Sequence, residues 1–420
     1  MNISVKHSAV IAIAFAAVVA QAEMMDRPVG IKIGERLTLK PYLALSATYD
    51  SNVTCSQNRE DDVIWTVNPG FTLDYLAESW YLNLAGNYSY NGYMRGGHAN
   101  QNSYHNYGES IIFGWDSAPK NERGWSLMLN QSFILMNSID DITLSDGSSY
   151  GRDTKEFRFG AALEHRFTEQ IHANINGGYY WLDYDNSNQQ NSLYGWSRWT
   201  VGGEIGYAAS KWLDLLVSAN YQGYKQDNTS NRYYGSQGYG NQLSDGSESW
   251  SLMAGFGSFA TERITYRLLV GWSHFEYGGG GHSTDGMTYS ASGNWRIGET
   301  WNMMILATSQ YQPSEREYGS SQRTDSLSWG IAKSLVRGKM NATFDICYRR
   351  EGHEYSTLGS SQDYNLDILT FRIGLNYTLN RYLALFCRGE YRRSFDDGDS
   401  RSSSYDYDRF RASLGFRLTY

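Results

Sequence analysis

The feature that most constrains the fold is an alternation of apolar and polar residues that recurs along the chain from Leu39 onward. Clear apolar stripes with a spacing of two residues occur in "LNLAGNYSY" (82–90) and "LTFRIGLNYTL" (369–379). Successive side chains of a strand point to opposite faces, so each stripe predicts an amphipathic strand. Most segments have 11 to 16 residues, which is long enough to cross a bilayer at the tilt usual for membrane strands.

The connections between these segments are alternately short and long. The short ones are 77–79, 168–169, 210–211, 261–263, 298–300, 337–338 and 380–381. The long ones are 51–61, 95–103, 137–151, 186–193, 225–245, 278–285, 313–322, 352–362 and 396–404. Outer-membrane barrels have short periplasmic turns and longer extracellular loops, so the pattern predicts which side each connection occupies.

The segments predict an all-β transmembrane antiparallel β-barrel of about 18 strands. They are 39–49, 62–76, 80–91, 104–116, 124–136, 152–167, 170–183, 195–209, 212–224, 247–259, 264–276, 287–297, 301–312, 324–335, 339–349, 364–379, 382–394 and 405–420. An even number places both termini in the periplasm. Glu109 falls on the outward parity of the fourth segment, which suggests a bulge there.

The two ends of the chain support export to the outer membrane of a Gram-negative bacterium. Residues 1–22 have the layout of a secretory signal peptide: Lys6 and His7, an apolar stretch, and the small residues of "AQA" before Glu23. Residues 23–36 are then a short periplasmic segment, and 37–420 form the barrel. The last twelve residues, "RFRASLGFRLTY", alternate up to Tyr420, and we expect this strand to pair with the segment around Pro41 to Tyr49.

Composition excludes some functions and leaves others open. A net charge of −8 and a pI near 5.5 argue against nucleic acid as a partner. The mean hydropathy of −0.54 is compatible with a membrane barrel, because its loops and lumen are wet. Three cysteines with no metal-site spacing predict neither disulfides nor zinc, and we expect no cofactor and no catalytic residue. An enzyme assembled from His98, His282 or His353 with loop carboxylates remains an alternative, as does a secreted soluble β protein.

The parity opposite to the apolar stripes predicts the residues that face the lumen. In the last four strands, together with the first, this parity is rich in arginine. The pore-lining candidates are Lys40, Asp345, Arg349, Arg372, Arg388, Glu390, Arg392, Arg409, Arg411 and Arg417. Two interpretations stay open: a basic wall that favours anions, or arginines and carboxylates that pair and stiffen the wall.

Two stretches resemble known outer-membrane sequences. Tyr49-Asp50, Asn52-Val53 and Pro69-Gly70 resemble the beta-barrel porin 2 family of Gram-negative bacteria, and the resemblance implies an outer-membrane porin. The C-terminal strand resembles the assembly signal of outer-membrane barrels, with its pattern filled by Ser413, Gly415, Leu418 and Tyr420. That second resemblance implies the barrel-assembly machinery and periplasmic chaperones as partners.

The function that these features favour is a porin-like channel for passive diffusion of small hydrophilic solutes, embedded in outer-membrane lipid. A structural or adhesive barrel with ligand-binding surface loops is an alternative. The longest connection, 225–245, is the candidate for a loop that folds into the lumen. Homo-oligomers stay open, because no stripe in the sequence marks an interface.

Overall fold

The computed structural model describes residues 30–53, 55, 59–95, 103–117, 124–138, 152–184, 196–226, 246–258, 263–277, 283–313, 321–354, 364–396 and 406–420. These residues are almost entirely β-strand, with one 3₁₀ turn at Val336–Gly338. The strands are β1 Ile31–Ile33, β2 Leu37–Asp50, β3 Asp62–Leu76, β4 Trp80–Tyr93, β5 Ser103–Asp116, β6 Trp125–Ser138, β7 Arg152–Arg166, β8 Ile171–Tyr184, β9 Trp196–Ser210, β10 Leu213–Gln226, β11 Ser247–Ser258, β12 Ile264–Tyr277, β13 Ser283–Ile297, β14 Trp301–Pro313, β15 Ser321–Leu335, β16 Met340–Glu354, β17 Tyr364–Asn380, β18 Leu383–Asp396 and β19 Tyr407–Thr419. Within the described residues, no helix is long and apolar enough to cross a bilayer.

Strands β2 to β19 form a closed antiparallel barrel of 18 strands. Each strand pairs with its neighbours in sequence, and the ring closes where β19 pairs with β2, from Arg411 opposite Asp50 to Thr419 opposite Tyr42. The predicted fold class and the predicted closing pair are therefore confirmed. Closure removes both free edges of the sheet, which a membrane protein requires because lipid offers no hydrogen bonds to an open edge.

The outer face of the barrel is a broad apolar band. Exposed aliphatic side chains occupy its middle, among them Val201, Val217, Leu252, Ile305 and Ile373. Exposed aromatic side chains lie towards both rims, and they include Trp65, Tyr88, Trp125, Trp199, Trp250, Trp272, Trp295 and Tyr420. An apolar band between aromatic girdles is the surface that a membrane-spanning barrel presents to lipid. We call the rim with the tight turns the short-turn end and the other rim the long-loop end.

The bulge expected at Glu109 does not occur. Strand β5 keeps an unbroken register with both neighbours, so that Glu109 lies opposite Gly86 of β4 and Phe133 of β6. Its carboxylate therefore points to the outer face, where the Tyr107 hydroxyl donates a hydrogen bond to Oε2 at 2.7 Å. The alternation therefore continues through Glu109, which is a polar side chain in the lipid-facing band.

A short strand that sequence reasoning did not predict lies inside the segment 23–36. Strand β1 pairs with the start of β2, from Ile31 opposite Leu39 to Ile33 opposite Leu37. It occupies the same edge of β2 as β19, whose last contact is the hydrogen bond from the Tyr420 amide to the Pro41 carbonyl at 3.1 Å. Strand β1 therefore continues the pairing of β2 at the point where β19 ends.

Candidate functional site: the inner wall of the barrel

All ten pore-lining candidates lie on the inner face of the barrel. Their positions alternate with outward apolar residues of the same strands, such as Ile373, Leu385 and Leu414, which are exposed on the outer surface. Nine of the ten side chains nevertheless keep contact with solvent, and that of Arg372 is 46% exposed although it points into the barrel. That these residues line a conducting pore stays a prediction.

Five charged residues form one row across the inner wall. Asp345, Arg372, Glu390, Arg411 and Asp50 lie directly opposite one another on β16, β17, β18, β19 and β2. Arg372 Nε lies 2.7 Å from Glu390 Oε2, and Arg372 Nη1 lies 3.5 Å from Asp345 Oδ1. Arg411 Nε lies 2.9 Å from Asp50 Oδ2, and Arg411 Nη1 lies 4.0 Å from Glu390 Oε1. The signs alternate along the row, so its charges largely compensate one another. We call these five residues the charge row.

The other basic candidates divide between ion pairs and aromatic rings. Lys40 Nζ lies 2.6 Å from Asp74 Oδ2, and Arg349 forms an ion pair with Glu351. The guanidinium carbons of three arginines lie over ring centroids: Arg388 over Phe386 at 5.1 Å, Arg392 over Tyr407 at 5.9 Å and Arg417 over Tyr42 at 4.0 Å. Arginine is held well in this way because its planar group stacks on aromatic faces.

The two interpretations of the basic wall therefore each hold for part of it. Within the charge row, the carboxylates neutralise the charge of the two arginines, as the pairing interpretation expects. On β16 to β19 and β2, the inner positions with described side chains still carry eight basic residues and four carboxylates. The basic residues are Lys40, Arg349, Arg372, Arg388, Arg392, Arg409, Arg411 and Arg417. The carboxylates are Asp50, Asp345, Glu351 and Glu390. An excess of positive charge remains on this side of the lumen.

Arg409 differs from the other candidates because it is buried. Its side chain is 3% exposed and that of Asp50 is 0% exposed, with Arg409 Nη2 2.5 Å from Asp50 Oδ2. Arg409 Nη1 also donates to the sulfur of Cys55 at 3.2 Å. Sequence reasoning missed Asp50 as a partner, although Asp50 shares the parity of Lys40 on the same strand and that signal was available.

The first connection, 51–61, ties the last strand to the first. The Ser51 amide donates to the Phe410 carbonyl at 2.9 Å, and the Phe410 amide donates to Ser51 Oγ at 2.8 Å. The side-chain amide of Asn52 donates to the Asp408 carbonyl at 3.1 Å, while the backbone amide of Asn52 donates to Asp50 Oδ1 at 3.1 Å. Together with the Asp50–Arg409 ion pair, these bonds fasten the closing seam at the long-loop end. We call this group the seam cluster.

The described residues Val53 and Cys55 of this connection lie over the inner surface of the barrel at the long-loop end. Val53 is buried against Ile64, Tyr93 and Tyr104, which come from the inner faces of β3, β4 and β5. Cys55 is completely buried. The loop predicted to fold inward, 225–245, falls mostly on residues 227–245, which lie outside the described residues.

The motifs that carried the porin resemblance thus have structural positions. Asp50, Asn52 and Val53 belong to the seam cluster and its apolar support. Gly70 faces inward, and a Cβ there would meet the ring of Tyr42, which lies opposite Gly70 on β2. The guanidinium of Arg417, on the last strand, lies over the same ring. Both motifs therefore hold the closing strand against the start of the barrel.

The opposite wall is packed rather than open at the long-loop end. Five residues from β8, β9, β10, β12 and β14 form a buried cluster inside the barrel: Leu182, Trp196, Tyr224, Phe275 and Tyr311. The hydroxyl of Tyr224 donates to the Tyr311 carbonyl at 3.2 Å, which joins β10 to β14. Pairing between β13 and β14 ends at Ser290 and Thr308, so the upper part of β14 leans towards the inner face of β10 and β12. This wall narrows the lumen.

A largely buried ion pair lies deeper in the same wall. Arg267 of β12 reaches Glu204 of β9, with Nη2 2.5 Å and Nε 3.0 Å from Oε2. Beside it, Leu216, Met253 and Leu269 form a small buried apolar cluster on β10, β11 and β12. These contacts between inner side chains of strands that are not adjacent show that the wall curves sharply here.

The residues of the predicted assembly signal divide between the two faces. Leu418 and Tyr420 are exposed on the outer face, where the Tyr420 ring stacks on Tyr382 with centroids 5.9 Å apart. Ser413 and Gly415 face inward, and Ser413 Oγ lies 2.7 Å from Thr48 Oγ1 across the seam. Recognition of this strand by an assembly machinery stays a prediction.

The residues of the enzymatic alternative are not brought together by any described contact. His98 and His282 lie outside the described residues, and so does the side chain of His353. Within the described part of the chain, no group of three or more His, Cys, Asp or Glu side chains could hold a metal ion.

Comparisons with known proteins found similarity to solved structures, at low sequence identity. No family model matches the sequence, so the resemblance to the beta-barrel porin 2 family rests on the quoted motifs alone. No curated protein matches it. Among solved structures, the outer membrane protein OpdK of Pseudomonas aeruginosa is 12% identical with a TM-score of 0.43, covering 91% of this chain and 99% of that one. The siderophore receptor PirA of the same species is 9% identical with a TM-score of 0.44, covering 93% and 81%. A mutant of its ferric enterobactin receptor PfeA is 9% identical with a TM-score of 0.49, covering 93% and 81%.

The decisive observation is the barrel's own surface. Eighteen strands close into a ring whose outer face is an apolar band between aromatic girdles. The chain is a Gram-negative outer-membrane β-barrel. This barrel has a charged inner wall on one side and a packed wall on the other.

Proposed function

We propose that this outer-membrane barrel is a channel for passive diffusion of small hydrophilic solutes. The observation that carries the proposal is the partial exposure of charged side chains on the inner face. Arg372 keeps 46% of its side-chain surface exposed, and Glu390 and Arg411 each keep 25%. Side chains that point inward and remain accessible require water-filled space beside the charge row.

The dimensions of the barrel support the same proposal. Barrels of 16 to 18 strands enclose an aqueous channel, whereas barrels of about eight strands are filled by their side chains. Here the packed cluster around Tyr224 and Tyr311 occupies part of the lumen at the long-loop end. The passage then runs along β16 to β19 and β2, between that cluster and the basic wall.

In this proposal the barrel selects by size and by wall charge, and it performs no covalent step. Solutes that fit past the packed cluster exchange water contacts for contacts with arginine and carboxylate groups. Such groups bind ions weakly when they remain hydrated, which permits both entry and release. No cofactor takes part, and we propose that the barrel is not an enzyme.

Reconstitution of the purified mature protein in planar bilayers tests the proposal. A change of electrophoretic mobility on heating first shows that the protein is a folded barrel. From this folded protein we expect stepwise increments of conductance. Folded protein without conductance would contradict the channel and favour a closed structural barrel. Hydrolysis of added phospholipid or peptide would support the enzymatic alternative instead.

A further inference from the structure

Glu109 is the one charged residue in the middle of the lipid-facing band among the described strands. It is the seventh of the fourteen residues of β5. Every other Asp, Glu, Lys, Arg or His on the outer parity of the described strands lies within five residues of a strand end. Near a rim such groups reach headgroups and water, but at mid-depth a polar group faces hydrocarbon and is unfavourable.

A second polar side chain lies beside Glu109 on the same face. Gln131 of β6 lies directly opposite Ile111, and Phe133 lies directly opposite Glu109, so Glu109 and Gln131 are diagonal neighbours. On the other side of Glu109 is Gly86, which has no side chain. Membrane interfaces between protein segments favour this composition, because small residues allow close approach and polar side chains bond across the contact.

The strand tilt brings Glu109 and Gln131 to the same depth. The charge row shows the direction of the tilt. From each strand to the next, the directly opposed residue lies nearer the long-loop end, from Asp345 near the short-turn end of β16 to Asp50 at the long-loop end of β2. With strands about 4.8 Å apart and tilted about 40°, Phe133 lies about 3 Å nearer the long-loop end than Glu109. Gln131 precedes Phe133 by two residues on β6 and therefore lies about 5 Å nearer the short-turn end than Phe133. The depths of Gln131 and Glu109 in the membrane thus differ by only about 2 Å.

We infer that this face, formed by Gly86, Glu109, Ile111, Gln131 and Phe133, is the contact surface of a homodimer. Two copies in one membrane are related by a two-fold axis perpendicular to the bilayer, and such an axis keeps every residue at its depth. An axis midway between Glu109 and Gln131 places the carboxylate of each copy beside the amide of the other. The face is self-complementary, as an isologous interface requires, because it carries one acceptor and one donor at equal depth.

The same geometry identifies the residues on the axis. Ile111 and Phe133 fall on the line midway between Glu109 and Gln131, one below and one above. Each therefore meets its own counterpart in the second copy. Ile305 of β14 offers a matched comparison: it is also an exposed isoleucine in the apolar band, and it lies nine strands away, on the opposite side of the barrel.

Cysteine cross-linking in native outer membranes tests the dimer. Ile111→Cys and Ile305→Cys are made in the mature chain with Cys387→Ser, since Cys387 is the exposed native cysteine. We expect oxidation to link the Ile111→Cys protein into dimers and to leave the Ile305→Cys protein monomeric. Equal cross-linking of the two variants, or none with either, would overturn the inference.

Substitution of Glu109 separates an interface role from a role within the barrel. Glu109→Leu and Gln131→Leu should each weaken the dimer in detergent by about tenfold, measured by sedimentation. The monomeric barrel should keep or raise its thermal stability, because leucine suits a lipid-facing position. An unchanged dimer, or a monomer that unfolds at lower temperature, would contradict the assignment.

Discussion

At the scale of single residues, burial decides what each inner-face charge does. Arg409 and Arg388 both occupy inward positions on the neighbouring strands β19 and β18, and the alternation predicted both on the inner wall. Arg409 is held at 3% exposure by Asp50 and by the first connection, whereas Arg388 is exposed and lies over Phe386. The sequence could not separate these two environments, because the covering residues come from a loop whose path alternation does not describe.

Removal of one partner of the buried Asp50–Arg409 pair should strongly destabilise the closing seam. In Asp50→Asn the guanidinium of Arg409 stays buried and loses the negative charge of Asp50, and breaking such a pair costs about 3–5 kcal/mol. The midpoint of guanidinium-induced unfolding in detergent micelles measures this loss. Asp74→Asn is the matched control, because Asp74 pairs with Lys40 while the two side chains remain 37% and 25% exposed, and exposed pairs contribute about 1 kcal/mol or less. Similar losses from both substitutions would show that the seam cluster has no special role.

At the scale of elements, alternation predicted all eighteen barrel strands and the closing pair. It also located the ends of the strands along the chain, since side-chain period is a local property of the sequence. Which connections face the periplasm stays a prediction. It missed β1, whose three residues are too few for a periodic signal, and it wrongly suggested a bulge at Glu109. It also gave no sign that β14 leaves β13 after Thr308, because that departure depends on contacts of Tyr311 with distant strands.

The short strand β1 should protect the start of β2 without determining whether the barrel closes. Its hairpin requires Gly34, which has a φ of +73°, a conformation that a β-branched residue adopts only with strain. In Gly34→Val we expect β1 to detach and the amides of Leu37 and Leu39, which face β1, to exchange faster with deuterium. Glu35→Val, in the same turn, should leave that exchange unchanged. Loss of the folded barrel in Gly34→Val would instead mean that β1 is needed for closure.

At the scale of the whole molecule, the two walls of the lumen have different roles. The packed wall from β8 to β14 joins non-adjacent strands through Tyr224, Tyr311 and the Arg267–Glu204 ion pair, and it reduces the open cross-section. Among described side chains, the wall from β16 to β2 carries eight basic groups on its inner face, and four carboxylates, three of them in the charge row, compensate half of that charge. Ion selectivity should therefore depend on a few arginines on one side, and the pairing within the charge row should keep it weak.

A weak preference of the channel for anions follows from this asymmetry. Substitutions on the two faces of β18 test whether charges on its inner face contribute to that preference. In a salt gradient the reversal potential of the native channel should indicate anions, and Arg388→Glu should shift it towards cations. Arg393→Glu is the matched control: it makes the same charge change five residues further along β18, on the parity that faces outward. The shift should grow as ionic strength falls, because the screening length increases from about 10 Å at 0.1 M to about 30 Å at 0.01 M. Cation preference in the native channel, or equal shifts in the two variants, would place the selective charges elsewhere than on the inner face of β18.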